Sequence, residues 1–336
     1  MSERASRLVV IGASAGGVEA LKEVVAGLPG DLDAAVGVVL HVAPGGPGRL
    51  PSILARAGQL PAEHPVHGEP VLRGRIYVAP PDRHVLVRDH RWAVVRGPRE
   101  NGARPAIDPL FRSAASSFGR SVVAVVLSGT LSDGSAGAAA VSRVGGSVIV
   151  QDPSDAVFPG MPAAAIARDH PDRVLPLGEI ASAVVQSLSS LSQEEPVSEN
   201  DRQEMSLETS FAALDRNAVS ASTPPGSPSS FSCPACGGVL WEVDDGELLR
   251  FRCRVGHAYT ADAVVDAEDE SVEAALFAAL RALHERSDLA TRVAGRLRER
   301  GGRGASRFDR IAEEALEQAE LIRRTLLERD GEDDTG

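Results

Sequence analysis

Lysine is almost absent from this chain. Lys22 is the only one, so arginine supplies all the rest of the 35 basic residues. Chemistry that needs a lysine amine has a single candidate, and most such mechanisms are excluded. Cysteine is nearly as scarce, with three in 336 residues, at Cys233, Cys236 and Cys253. An odd trio in one short window cannot close a set of disulfides, which points to a reducing compartment and another use for the thiols. Positive charge is in deficit: 47 acidic against 35 basic residues give −12. That argues against non-specific nucleic-acid binding, which depends on cations meeting phosphates. Long apolar runs are missing as well. Leu8-Val-Val-Ile11 breaks at Gly12, short of a signal-peptide core of about 7–15 residues and far short of a ~20-residue span. The expectation is a cytoplasmic chain with no nucleic-acid partner and no membrane insertion.

What is present suits a buried core: 43% of residues are apolar and 24% charged. From Arg7 to Leu188 short Val-rich runs recur at 8–11, 36–40, 122–127 and 148–150, most without polar alternation. Strands buried on both faces have this pattern, and they belong to parallel sheets covered by helices. Helical spacing lies between them, at Gly17–Leu28, Asp108–Phe118 and Ser135–Val144. Between Val71 and Val95 the period changes to two, which predicts an antiparallel hairpin attached to the sheet. The fold class expected is α/β, a doubly wound and mostly parallel sheet.

Further on, 189–231 turns to Ser, Glu, Gln, Asn and Pro. It reads as flexible linker, with at most one short helix around Phe211 and Leu214. Residues 261–330 are helical and broken at Gly301-Gly-Arg-Gly304. One arm carries Val272, Leu276, Leu280, Leu283, Leu289, Val293 and Leu297; the other carries Phe308, Ile311, Ala315, Ala319, Ile322 and Leu326. A helical hairpin with one apolar stripe per arm follows. Its charged faces read first as solvated surface, with self-association the lesser alternative.

The sharpest local signal is Val9-Val-Ile-Gly-Ala-Ser-Ala-Gly-Gly17, a strand, a Gly-rich turn and a helix. It matches G-x-S-x-G, with Ser14 at the position that a sharp turn exposes beside helical N–H groups. A plain strand–helix connection or phosphate loop is the bland alternative. A dinucleotide loop fits poorly, because Ser14 stands where the second Gly of G-x-G-x-x-G belongs. A serine nucleophile needs a base and a group that orients it. Two more apolar strands end in suitable residues, 36–40 in His41 and 122–127 in a loop reaching Asp133. Three strand ends therefore converge on one rim with Ser14, His41 and Asp133. His64, His67, His90 and His170 lie in polar turns, His84 heads a hairpin strand, and His284 is in the helical tail. Asp108 and Asp152 compete with Asp133, but the first suffices as an N-cap and the second as a turn residue.

Six motifs run in order along this region: Ile-Gly-Ala-Ser-Ala-Gly-Gly (11–17), Leu-His-Val-Ala-Pro-Gly (40–45), Tyr-Val-Ala-Pro-Pro-Asp-Arg-His (77–84), Arg-Pro-Ala-Ile-Asp-Pro-Leu-Phe (104–111), Leu-Ser-Gly-Thr-Leu-Ser-Asp-Gly (127–134) and Gly-Met-Pro-Ala-Ala (160–164). With them residues 7–188 resemble the catalytic domain of chemotaxis protein-glutamate methylesterases. The resemblance implies a triad on Ser14, His41 and Asp133, and no cofactor for catalysis. It implies a methylated glutamate on a chemoreceptor or receptor-like protein as substrate, with glutamate and methanol as products. There are departures. Ala15 stands where the family has Thr, and Thr130-Leu131 where it has Met-Gly. The family's Met backbone is implicated in the oxyanion hole, so the N–H groups of Ala15 and Thr130 are the candidates here. The family's N-terminal receiver domain has no counterpart before the strand at residue 8, so phosphorylation control is not expected. Other readings are an esterase for a different carboxyl ester and a non-catalytic signalling adaptor with the same fold.

Cys233-Pro-Ala-Cys236 and Cys253-Arg-Val-Gly-His257 give C-x2-C-x16-C-x3-H, a spacing that suits a tetrahedral zinc. So small a segment, 232–260, would scarcely fold without a staple. A structural zinc in a zinc-ribbon-like module is expected; a reduced-thiol cluster without metal is the alternative. The domain division expected is 1–188 catalytic, 189–231 linker, 232–260 zinc-ribbon-like and 261–330 helical hairpin. Nothing in the sequence ties the cysteine module to the Ser14 rim.

Overall fold

The computed structural model describes residues 3–168, 171–191, 198–219, 226–245, 248–301 and 304–332. His170 and parts of the 189–231 segment lie outside them. In chain order the first elements are β1 (Leu8–Ala13), α1 (Gly17–Ala26), β2 (Ala35–Leu40), α2 (Leu50–Ala57), β3 (Ala62–Glu63) and β4 (Ile76–Val78). There follow β5 (His84–Arg88), β6 (Arg91–Val95), α3 (Ile107–Phe118), β7 (Val122–Val126), α4 (Ser135–Arg143) and β8 (Ser147–Gln151). Next come α5 (Gly160–Arg168), β9 (Arg173–Leu175), α6 (Leu177–Ser190), α7 (Glu199–Ala212) and α8 (Arg216–Val219). The last are β10 (Ser227–Ser232), β11 (Val239–Asp245), β12 (Leu248–Cys253), β13 (Ala258–Thr260), α9 (Ala261–Glu299) and α10 (Ala305–Glu332).

Seven strands form one sheet in the order β3-β4-β2-β1-β7-β8-β9, and every pairing in it is parallel. The Val-rich runs are its central strands because side chains leave a strand alternately on both faces and helices cover both. Val9, Ile11, Val36, Val38, Val123 and Val125 face one core with Leu21 and Val24 of α1, Leu54 of α2 and Ile180 of α6. Leu8, Val10, Ala124, Val126 and Val148 face the other core with Phe111 and Ala114 of α3 and Val141 of α4. The sheet is thus doubly wound. After β1 the chain runs to one side through β2, the edge strand β3 and β4 between them, then returns to lay β7, β8 and β9 on the other. That switch puts the carboxyl ends of β1, β2 and β7 together, where open α/β sheets place their sites.

Three expectations change. The period-two region does not form one hairpin on the sheet: Ile76–Val78 is a parallel strand, and β5 and β6 form a separate two-stranded ribbon. Burial of Tyr77 and Trp92, whose rings lie 4.8 Å apart, explains the strong apolar signal in both.

The stretch expected as linker carries α7, capped by the Ser198 hydroxyl, which accepts from the Asp201 N–H at 3.1 Å. Met205 of α7 is buried in the core that α3 lines, and Glu208 is buried too. Polar composition misleads here, because an acidic side chain meets buried arginines.

Strands β10–β13 form a four-stranded antiparallel sheet that holds the cysteines. The chain divides into two compact units, 1–264 and 265–336. In the second, Ala290 and Ala294 of α9 and Ala312, Ala315 and Ala319 of α10 are buried. Val272 and Leu289, expected on the buried stripe, are exposed. Ala315, Ala319 and Leu326, expected on the second arm's stripe, are buried, and Ala290, Ala294 and Ala312 join them on the inner face.

Candidate active site

Ser14 follows β1 directly, in a turn closed by the Gly17 N–H donating to the Ser14 carbonyl at 2.9 Å. Gly16 takes φ +72° there, a conformation that side chains resist, and a β-carbon on it would come within 2.9 Å of Ser128 Oγ. The Ser14 N–H donates to the Ser128 carbonyl at 3.0 Å, fastening the turn to the end of β7. On the other side, the His41 N–H donates to the Ala13 carbonyl at 3.1 Å, which sets the start of the β2 loop beside Ser14.

The three side chains expected at the rim make contact. Ser14 Oγ lies 3.1 Å from His41 Nδ1, and His41 Nε2 lies 2.7 Å from Asp133 Oδ2. Asp133 is buried at 2% exposure while His41 keeps 22%, so the histidine can reach a substrate and the carboxylate cannot. Burial pushes the Asp133 carboxyl up, but the His41 hydrogen bond and charge, the Ile107 N–H and the Asn101 amide outweigh it and hold it at about 2. An ionised Asp133 keeps the imidazole proton on Nε2 and leaves Nδ1 free to accept from the Ser14 hydroxyl.

Asp108, expected as a cap on its own helix, does something else. Its Oδ1 accepts from the N–H groups of Gly134 at 3.0 Å and Gly137 at 2.6 Å, so it caps α4. Asp133, just before α4, accepts from the N–H groups of Ile107 at 2.7 Å and Asp108 at 3.2 Å, so it caps α3. The two helices exchange aspartates, and each N-terminus turns its orphan N–H groups and positive dipole end toward a carboxylate. Two carboxyls this close cannot both ionise easily. Burial first, and then the Asp133 charge, push Asp108 up to about 7. Asn101 stands between them, its Nδ2 donating to Asp108 Oδ2 and to Asp133 Oδ1, each at 3.0 Å.

Of the oxyanion candidates, Ala15 is half-buried at the start of the α1 turn, its carbonyl accepting from Ser128 Oγ at 2.8 Å. Thr130 is exposed in the loop after β7. A β-carbon on Gly129 would meet Ser14 Cβ at 2.8 Å, so the backbone leading into Thr130 runs against the serine. Leu131, where the resembled family has Gly, takes φ +60°. A left-handed leucine costs roughly 1–2 kcal/mol. Val157, Phe158 and Leu131 are exposed, and the first two pack on Gly16, giving Ser14 an apolar lip.

Other histidines are occupied elsewhere: His64 with the Val78 carbonyl at 2.8 Å, and buried His84 with the Pro98 carbonyl at 2.8 Å. Asp152 takes up the Ser154 N–H and hydroxyl, as a turn residue does.

Cys233, Cys236, Cys253 and His257 bring their donor atoms within 4.8 Å of one another. Cys236 Sγ and Cys253 Sγ are 3.8 Å apart, and His257 Nδ1 is 3.7 Å from Cys233 Sγ and 3.5 Å from Cys253 Sγ. The edges of a tetrahedron with metal bonds of about 2.0–2.3 Å have about these lengths. The module is not independent of the rim. Its strand β13 reaches the catalytic side, with the Thr260 N–H donating to Asn101 Oδ1 at 2.9 Å and Thr260 Oγ1 lying 2.7 Å from Ser132 Oγ. The expected separation of module and rim is therefore corrected. Asn101 and Thr260 were beyond sequence reasoning, since an Asn-Gly pair reads as a turn and the two residues lie 159 positions apart.

A doubly wound parallel sheet with Ser, His and Asp hydrogen-bonded in series at its strand ends defines a class, α/β proteins with a serine-hydrolase arrangement. Comparison narrows it. A family model described as CheB methylesterase matches residues 9–184, and the chain belongs to that family. It is 38% identical over 183 residues to a protein-glutamate methylesterase/protein-glutamine glutaminase 2 of Anaeromyxobacter dehalogenans, covering 54% of each chain. Against the protein of the same name from Caulobacter vibrioides it is 39% identical over 177 residues, 51% of each chain. The chain thus spans about half the length of the curated relatives it matches. It is also similar to the crystal structure of the Thermotoga maritima CheB methylesterase catalytic domain, with TM-score 0.52 and 32% identity over 54% of this chain and 97% of that one.

Proposed function

We propose that the chain is a cytoplasmic carboxylic ester hydrolase that removes methyl groups from glutamate γ-methyl esters on a chemoreceptor or receptor-like protein. The supporting observation is the unbroken series Ser14–His41–Asp133 inside the family-matched segment. In this reading Ser14 Oγ attacks the ester carbonyl carbon while His41 Nδ1 takes its proton. The tetrahedral oxyanion is held by the N–H groups of Ala15 and Thr130, and Asp133 stabilises the imidazolium. His41 returns the proton to the departing methanol. It then deprotonates a water that splits the acyl-enzyme, so the glutamate carboxylate leaves and Ser14 regains its hydrogen. The apolar lip of Val157 and Phe158 suits the aliphatic surroundings of an ester on a helix.

The relatives' names also carry a glutamine glutaminase activity, and the same acyl-enzyme would form from a glutamine amide with ammonia leaving. That is the second reading. Methanol release from methylated receptor membranes by the purified full chain tests the first. Ser14→Ala and His41→Ala should abolish it, and Asp133→Asn should lower kcat by about 10⁴-fold through the wrong tautomer. Full turnover in Ser14→Ala would remove the nucleophile assignment.

The cysteine module fits a structural zinc in a zinc-ribbon-like fold. Three thiolates and one imidazole are the donor set zinc prefers, and their spacing suits a tetrahedron. Cys233, Cys236, Cys253 and His257 would hold it. Bound there, zinc would supply folding energy and no catalytic chemistry, since four protein ligands leave no open position. The division expected from the sequence is modified accordingly: 1–188 catalytic, α7 a docking helix in place of a free linker, 232–260 metal-stapled, and 261–330 helical.

A further inference from the structure

Asn101 is held in a conformation and a hydrogen-bond pattern that few residues could satisfy. Its φ is +49°, in the left-handed region that asparagine tolerates better than most side chains. Its amide faces two ways. Nδ2 donates to both buried carboxylates, and Oδ1 accepts the Thr260 N–H at 2.9 Å. The network itself fixes which end is which, because carboxylates need a donor and an N–H needs an acceptor. Aspartate there would add a third carboxyl to the cluster; alanine would leave three buried groups short of a partner.

Its own backbone and its neighbour Glu100 anchor it. Its own N–H donates to the Ala258 carbonyl at 2.9 Å, and Glu100 forms a bridge with Ala258 while pairing with Arg112 of α3 and Arg252 of β12. Thr260 is fully buried, and its Oγ1 also accepts the Ala263 N–H at 3.3 Å, capping α9. Ser132, its other partner, directly precedes Asp133. The strand that follows His257 is therefore joined to the orienting aspartate by two routes, through Asn101 and through Ser132.

We propose that Asn101 is a positioning residue for Asp133, and that β13 of the cysteine module sets it by means of Thr260. The module thereby becomes part of the support of the Ser14–His41–Asp133 series. This rests on the esterase reading above. Asn101 holds Asp133 ionised and aimed at His41 while Asp108 keeps the proton the pair shares. The titratable groups facing the pair are His41 from the β2 end and buried His84 from β5, with Arg112 from α3, Arg168 from α5 and Arg250 from β12 acting on Asp108. None of them donates where Asn101 does.

The test uses the full chain and a fluorophosphonate, which phosphonylates an activated serine whatever the natural substrate. Inactivation rate constant and probe affinity are measured across pH. Ser14→Ala should show no labelling; if it labels at the wild-type rate, the esterase reading fails, and the proposal with it. With that control met, Asn101→Ala should label about tenfold or more slowly at unchanged probe affinity. Its acid limb should also move to higher pH, as Asp133 charge concentrates on the oxygen facing His41. Ser132→Ala and Thr260→Val delete one hydroxyl each and should slow labelling severalfold, also at unchanged affinity; they decide the matter if Asn101→Ala does not fold. Labelling in Asn101→Ala within twofold of wild type, with the limb unmoved, would overturn the proposal. Wild-type labelling in both hydroxyl variants would also overturn it, by removing the module's part.

Discussion

At the scale of single residues the site is governed by where one proton sits. Asp133 is depressed and Asp108 raised, and the two effects have opposite signs in stability. Asp133 contributes stability that is present above its unfolded value near 4 and lost only as pH falls toward about 2. Asp108 does the reverse. Between about 4 and about 7 the unfolded chain has released the Asp108 proton and the folded one still holds it, so stability falls as pH rises across that window. Asp108→Asn should abolish this share of the slope. Urea midpoints at about pH 5 and about pH 8 should differ less in the variant than in wild type. An identical change in both would show that Asp108 does not retain the proton.

At the scale of elements, buried charge does what composition obscured. Glu208 of α7 meets Arg250 and Arg252 of β12, at 3.0 Å for Arg250, and lies 3.9 Å from Arg112 of α3. Burial pushes Glu208 up, but the arginines, Arg252 foremost, hold it far below the usual carboxylate range. Arg252 also lies over the Phe211 ring, 5.1 Å from its centre. This knot joins three segments far apart in sequence. Glu208→Ala would remove the carboxylate that three buried guanidiniums share and should cost about 3–5 kcal/mol. Loss of less than about 1 kcal/mol in a urea titration would mean that water enters the knot and screens it.

For the whole molecule, metal and chemistry become linked. We expect one zinc per chain by elemental analysis, lost on replacing Cys253 or His257. With the module untied to the rim, as the sequence reads, chelation would spare hydrolysis. The Thr260 contacts reverse it: chelation should loosen β13 and slow fluorophosphonate labelling toward the Asn101→Ala rate. Undiminished labelling of the metal-free full chain would show that strand pairing alone holds β13 in place. Among the described residues no helix is long and apolar enough to cross a membrane.

The parallel sheet and the rim trio were legible in the sequence because their causes are local. Runs of valine specify strands buried on both faces. Ser14 and His41 directly follow such runs, and Asp133 lies in the loop after a third. The cysteine window was legible for the same reason, since ligand spacing survives unfolding. Other features had no local signature. A polar helix becomes core only when Glu208 finds arginines more than 40 positions away. Asp108 looks like a cap for its own helix, and only the packing of α3 beside α4 makes it cap the neighbour. Asn101 reads as a turn until two carboxylates from different helices and an N–H from the cysteine module converge on its amide. Pattern and spacing determined which residues could do chemistry; tertiary structure decided what holds them in place, because hydrogen-bond partners distant in sequence meet only when the chain is folded.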